Sequence, residues 1–194
     1  MQPGCQLDVN GYSLTILGVN MNNNFNGALI TNSSTASDIV MNINTGNGGF
    51  LTYFRSNTVN DHITFNLTGS NQFIEGVASP SSVYNGNVLF NINDVLPTSI
   101  SYGVPSNFFG NLGINRTVVG ATSLFYAGAT LSGNFTYSDN TGSSAVMGNP
   151  GIKTSIGGII NITANFSTPA VFEMHRLVNQ TPGGSITVTN SLGF

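Results

Sequence analysis

Seven carboxylates, two histidines, one cysteine and one lysine are all that this chain offers to acid–base, nucleophilic or metal chemistry. The carboxylates are Asp8, Asp38, Asp61, Glu75, Asp94, Asp139 and Glu173. A glycoside-cleaving site needs two facing carboxyls. Glu75 and Glu173 could form such a pair, but the cleft would lack tryptophan, which the chain does not contain. Asp61 and His62 are adjacent, and neighbours on a strand face opposite ways, so they do not begin a triad. With His62, His175 and Cys5 alone, no zinc cluster is expected. Asp139-Asn140 with Gly142 has the flavour of a calcium turn without its spaced carboxylates, and reads as a plain turn. Lys153 could crosslink to an asparagine beside Glu75 or Glu173, though a solvated loop lysine is the simpler reading. The expectation is therefore no catalytic residue, no metal and no cofactor.

Covalent modification is the richer signal. Asn-X-Ser/Thr occurs at Asn32, Asn66, Asn115, Asn134, Asn161, Asn165 and Asn179, each a candidate N-glycosylation acceptor. In a strand, residues i and i+2 share a face. At Asn66, Asn134, Asn161 and Asn165 the interleaved residues are apolar, which puts the sequon on the solvent side. Asn161 and Asn165 would lie about 13 Å apart on one strand.

The elements that would carry these residues are strands. Ile63, Phe65 and Leu67 alternate with polar partners, as do Ile160, Ile162, Ala164 and Phe166, and Ile186, Val188, Leu192 and Phe194 near the C-terminus. Period-two alternation is what a half-buried strand requires. Further candidates are 38–44, 49–55, 86–93, 113–119, 122–127, 130–138 and 169–178, separated by turn-rich clusters, with no convincing helix. Many short strands at roughly 8–12-residue spacing indicate an all-β fold: a β-sandwich, jelly-roll or Ig-like domain. No internal repeat of fixed period is evident. Residues 60–68 and 159–167 share a faint polar-Ile-Thr-X-Asn likeness. Residues 95–107, bracketed by Pro97 and Pro105, read as a loop and a possible subdivision of the domain spanning 21–194.

Residues 1–20 differ. Leu7 and Val9 alternate, Gly11 allows a change of phase, and Tyr12, Leu14 and Ile16 alternate again, with Leu17 and Val19 apolar on the other face. This reads as an extended N-terminal strand buried on both faces. It would be central to its own domain or lent to a neighbour.

Charge sets the remaining bounds. Only 6% of residues are charged and the net charge is -3, where ordinary domains carry roughly 25% charged residues. Without a basic cluster, nucleic-acid binding is disfavoured. Asn, Ser, Thr and Gly keep the surface wet at any pH, which suits an acidic exterior where carboxylates are protonated. No apolar run approaches the roughly 18–20 residues a spanning helix needs. Cys5 has no intrachain partner and is expected reduced or buried.

The Asn/Ser/Thr/Gly-rich, charge-poor β pattern, the scattered sequons and the apolar segment Leu7–Val19 resemble the subunits of extracellular threads and pili of thermoacidophilic archaea. The resemblance implies donor-strand complementation. Leu7, Val9, Tyr12, Leu14, Ile16, Leu17 and Val19 would complete the sheet of the next identical subunit, giving a glycosylated, extracellular homopolymeric filament for adhesion. Two other readings fit the composition: a jelly-roll virion surface protein, favoured by a start at Met1 without a signal peptide, and a carbohydrate-binding adhesin module with Tyr53, Phe54, Tyr126 and Tyr137 as sugar platforms.

Overall fold

The computed structural model describes residues 1, 3–17, 23–34, 38–46, 51–77, 79–94, 97–166 and 170–190. Val19, Leu192 and Phe194 lie outside them. No helix occurs among the described residues. Every strand pairing is parallel, and each strand pairs with the strand three places on in the chain. The molecule is a parallel β-solenoid of about seven turns.

Each turn, or rung, places one strand in each of three sheets. The first rung holds β1 (Gln6–Asp8), β2 (Leu14–Leu17) and β3 (Asn23–Asn26); the second, β4 (Leu29–Thr31), β5 (Ile39–Asn44) and β6 (Leu51–Arg55). The third holds β7 (Thr58–Val59), β8 (Ile63–Gly69) and β9 (Gln72–Glu75); the fourth, β10 (Val83–Tyr84), β11 (Val88–Asp94) and β12 (Thr98–Ile100). The fifth holds β13 (Ser106–Phe108), β14 (Leu112–Arg116) and β15 (Thr122–Leu124); the sixth, β16 (Ala129–Leu131), β17 (Phe135–Gly142) and β18 (Ala145–Met147). The seventh holds β19 (Thr154–Ile156), β20 (Ile160–Phe166) and β21 (Phe172–Met174), and β22 (Leu177–Asn179) and β23 (Gly184–Asn190) begin an eighth. Sheet I runs from β1 to β22, sheet II from β2 to β23 and sheet III from β3 to β21.

The expected sandwich, jelly-roll or Ig-like fold is thus corrected. Alternation reports that one face of a strand is buried. It is silent on whether the next strand returns by a hairpin or a full turn of chain later. Here the inner faces of all three sheets meet in one core. Leu14, Met41, Phe65, Phe90, Ile114, Tyr137, Ile162 and Ile186 form one inward column of sheet II, in register from rung to rung. Stacking along such columns brings Phe65 and Phe90 to 4.7 Å between ring centroids, and Tyr84 and Phe108 to 4.9 Å, nearly coplanar in orientation. These pairs add roughly 0.5–1.5 kcal/mol beyond their burial.

Other expectations shift accordingly. Leu7–Val19 is not one extended strand: β1 and β2 are separate sides of the first rung and pair with β4 and β5 of the same chain. A sandwich one strand short, which a donated strand would complete, is not the fold formed. Residues 97–107 are not a loop but hold β12 and β13, paired on both sides like their neighbours. The segment 130–138 is divided between sheets I and II, and 169–178 between sheets III and I. A repeat does exist, with hydrogen-bonded equivalents 23 to 25 residues apart.

The corner from sheet III to sheet I repeats one backbone device. A left-handed residue follows directly on the strand at Gly27, Ser56, Gly76, Ser101, Phe125 and Gly148. Glycine adopts this conformation freely. Ser56, Ser101 and Phe125 hold it at a steric cost.

Candidate functional site

The corner from sheet I to sheet II carries an asparagine ladder. Its sequence signature is Gly-Asn at Gly86-Asn87, Gly110-Asn111 and Gly133-Asn134, each just before a strand of sheet II. The glycines are required by close approach: a Cβ on Gly110 would sit 2.6 Å from the carbonyl carbon and oxygen of Gly86. Asn111 N–H donates to Asn87 Oδ1 at 2.9 Å, Asn134 N–H to Asn111 Oδ1 at 2.8 Å, and Ile159 N–H to Asn134 Oδ1 at 2.9 Å. One rung before Asn87, His62 takes the asparagine's place: Asn87 N–H donates to its Nδ1 at 2.8 Å. A neutral His62 therefore carries its proton on Nε2. Because every Oδ1 in the ladder is engaged, the amide orientations are fixed and the NH2 groups of the exposed Asn87, Asn111 and Asn134 face outward.

Beside this ladder runs a groove of ≈ 300 Å³, lined by Asp38, His62, Thr64, Asn87, Leu89, Asn111 and Gly113 among others. Thr64, Leu89 and Gly113 are consecutive in one outward column of sheet II. The absent side chain at Gly113 opens the groove, since a Cβ there would lie 3.0 Å from Leu89 Cδ1. A second ladder crosses the same sheet: Asn66 Nδ2 donates to Asn42 Oδ1, Asn91 to Asn66, and Asn115 to Asn91, at 2.8, 2.9 and 3.2 Å.

Sequence reasoning missed two buried polar clusters. Glu75 is fully buried and stands next to Phe54 in register. Ser101 N–H donates to Oε2 at 2.8 Å and Ser106 Oγ to Oε1 at 2.7 Å. Burial raises its pKa, against the hydrogen bonds from Ser106 and Ser101. The second cluster lies where sheet II meets sheet III. Arg116 donates to the carbonyls of Val118 and Asp94 and to Thr122 Oγ1, and Thr45 Oγ1 donates to Asp94 Oδ2 at 2.6 Å. Asp139 accepts from Tyr137 OH and from Thr141. Desolvation lowers the pKa of Arg116, opposed by Tyr137, Asp139 and Asp94.

The sequence candidates are dispersed. Glu75 is in the core, whereas Glu173 is exposed on β21 with its Oε2 3.0 Å from His175 Nε2. Lys153 is exposed just before β19, and Glu75 lies several rungs away on β9. Cys5 is a free, exposed thiol rather than a buried one. Among the described residues no group of three His, Cys, Asp or Glu side chains converges to hold a metal. Phe54 and Tyr137 are core residues rather than sugar platforms. Tyr126 is exposed and stacks on Tyr102 at 5.6 Å. Of the sequons, Asn134 and Asn179 are exposed; Asn32, Asn66, Asn115, Asn161 and Asn165 are half-buried. Of the N-terminal set, Val9 is buried, Leu7, Leu14 and Ile16 are half-buried against the core, and Tyr12 and Leu17 are exposed.

No family model, curated protein or solved structure matches the chain. Among the described residues no helix is long and apolar enough to cross a membrane.

Proposed function

We propose that this chain is a non-enzymatic structural subunit of an extracellular filament, in which identical copies add head to tail by continuing the solenoid. The first rung of one copy pairs with the last strands of the next, in place of a single donated strand. The contact is heterologous and does not close, so it propagates.

The carrying observation is one side chain. Ile186 on β23 belongs to the same inward column as Ile162, yet Ile186 is 52% exposed and Ile162 0%. At the other end of that column Leu14 is only half covered. Among the described residues β23 pairs on one side only, with β20, and β2 only with β5. Both ends thus offer strand edges and uncovered aliphatic core, a template for another copy of the same parallel geometry. N-glycans on the exposed sequons Asn134 and Asn179 belong to the same proposal, and an intact mass above the bare 20.3 kDa tests them.

Ile186→Lys tests the assembly. It places a charge at one junction face and leaves the other intact. By sedimentation, the variant alone is expected to stay monomeric, and a small fraction added to wild-type protein is expected to shorten its filaments. Unchanged filament length in the mixture overturns the proposal.

A further inference from the structure

We infer that the groove between the asparagine ladder and the outer face of sheet II is a binding site for a neutral, linear glycan. This goes beyond the assembly proposal and does not depend on it.

The ladder presets the donors. Asn87 and Asn111 each use Oδ1 on the backbone N–H of the following rung. Their Nδ2 groups make no hydrogen bond to the protein among the described residues, and both residues line the groove. His62 extends the row by one rung, because its Nδ1 is occupied by Asn87 N–H and its Nε2 carries the outward proton. Three N–H donors in a row, spaced by about 4.8 Å, thus face one groove with their orientations already fixed. Little ordering entropy remains to oppose binding.

The remaining walls select the ligand. Hydroxyl and ether oxygens of a sugar chain accept from the donor row. Thr64 and the Asp38 carboxylate, one rung before His62, accept from sugar hydroxyls. Leu89, exposed to the groove by the gap at Gly113, gives the apolar surface on which the C–H face of a pyranose rests. The donor row carries no formal positive charge when His62 is neutral, and Asp38 repels anions. A neutral glycan is therefore favoured over a polyuronate. A peptide strand has no backbone edge to pair with here, since β8, β11 and β14 are paired on both sides.

The test uses the full chain with neutral linear hexasaccharides (glucan, mannan and xylan series) and a polyuronate hexasaccharide. Calorimetry is combined with NMR of the asparagine side-chain NH2 signals. Asn111→Asp removes the NH2 donor but keeps an oxygen for Asn134 N–H, so the ladder survives. Asn140→Asp, exposed at the far end of β17, controls for the added charge. At least one neutral series is expected to shift the NH2 signals of Asn87 and Asn111. Affinity should fall about tenfold in Asn111→Asp, with an unchanged melting temperature, and stay the same in Asn140→Asp. Binding of none of the neutral glycans, tighter binding of the polyuronate, or undiminished binding by Asn111→Asp overturns the inference.

Discussion

The backbone N–H of Asn111 donates to the side-chain Oδ1 of Asn87 at 2.9 Å across 24 residues of chain. One side chain thereby locks the spacing of two rungs at the corner where the chain turns into sheet II. Asn87→Ala leaves the Asn111 N–H without this acceptor. The expected loss is about 1 kcal/mol of unfolding free energy, measured by urea denaturation. Asn87→Asp, which retains an acceptor, is expected to lose less.

The glycine preceding each ladder asparagine is there because rungs approach too closely for a side chain. In Gly110→Ala the new Cβ meets backbone atoms of Gly86 and Asn87 at 2.6–2.7 Å. Backbone cannot rotate aside as a side chain can. A loss of at least about 3 kcal/mol is expected, the upper end of overpacking costs. A melting temperature equal to wild type would show that the rungs are further apart than described.

Ser101 holds φ 53° at the corner after β12, where Gly76 and Gly148 serve other rungs. Its hydroxyl is also buried without a hydrogen-bond partner. Ser101→Gly relieves both, offset in part by the greater freedom of glycine in the unfolded chain. The net expectation is a gain of about 0.5–1 kcal/mol, read as a raised denaturation midpoint.

Glu75 gives the solenoid a pH dependence. Its folded-state pKa is raised above 4.5 by burial, so the unfolded chain loses this proton first as pH rises. The associated stability is intact below about pH 4.5 and is lost as pH climbs from there through the folded-state pKa. Glu75→Gln cannot ionise, and its stability is expected to decline less than that of wild type between pH 4 and 8. Parallel profiles for the two proteins would show that Glu75 is not the titrating group.

Much of the secondary structure was legible in the sequence, because burial of one face writes itself as alternation. Ile63, Phe65 and Leu67 lie inward on β8, and Ile160, Ile162 and Ala164 inward on β20, as the period requires. The architecture was not legible from alternation, which is the same for parallel and antiparallel partners. The usable signal was the Gly-Asn pair recurring before β11, β14 and β17. It was obscured because His62 and Ile159 replace the asparagine in the flanking rungs. The faint likeness of 60–68 to 159–167 was a true echo misaligned by two residues. Register places Ile63 in the column of Ile160, through Val88, Leu112 and Phe135, and not in that of Ile162. Glu75, Arg116 and Asp139 could not be anticipated: Glu75 stands next to Phe54 in register, and Arg116 and Asp139 are neighbours in a column whose other members include Leu67, Ile92 and Ala164. Only the fold reveals their partners: the donors that Glu75 and Asp139 accept from, and the carbonyls and hydroxyl to which Arg116 donates.

Cryo-electron microscopy of the native assembled material tests the assembly most directly, at the junction between successive copies. The account predicts filaments with an axial repeat of about 34–38 Å, seven to eight rungs at about 4.8 Å each, with Ile186 of one copy stacked over Leu14 of the next. Closed particles, or filaments in which these two residues lie apart, would contradict it.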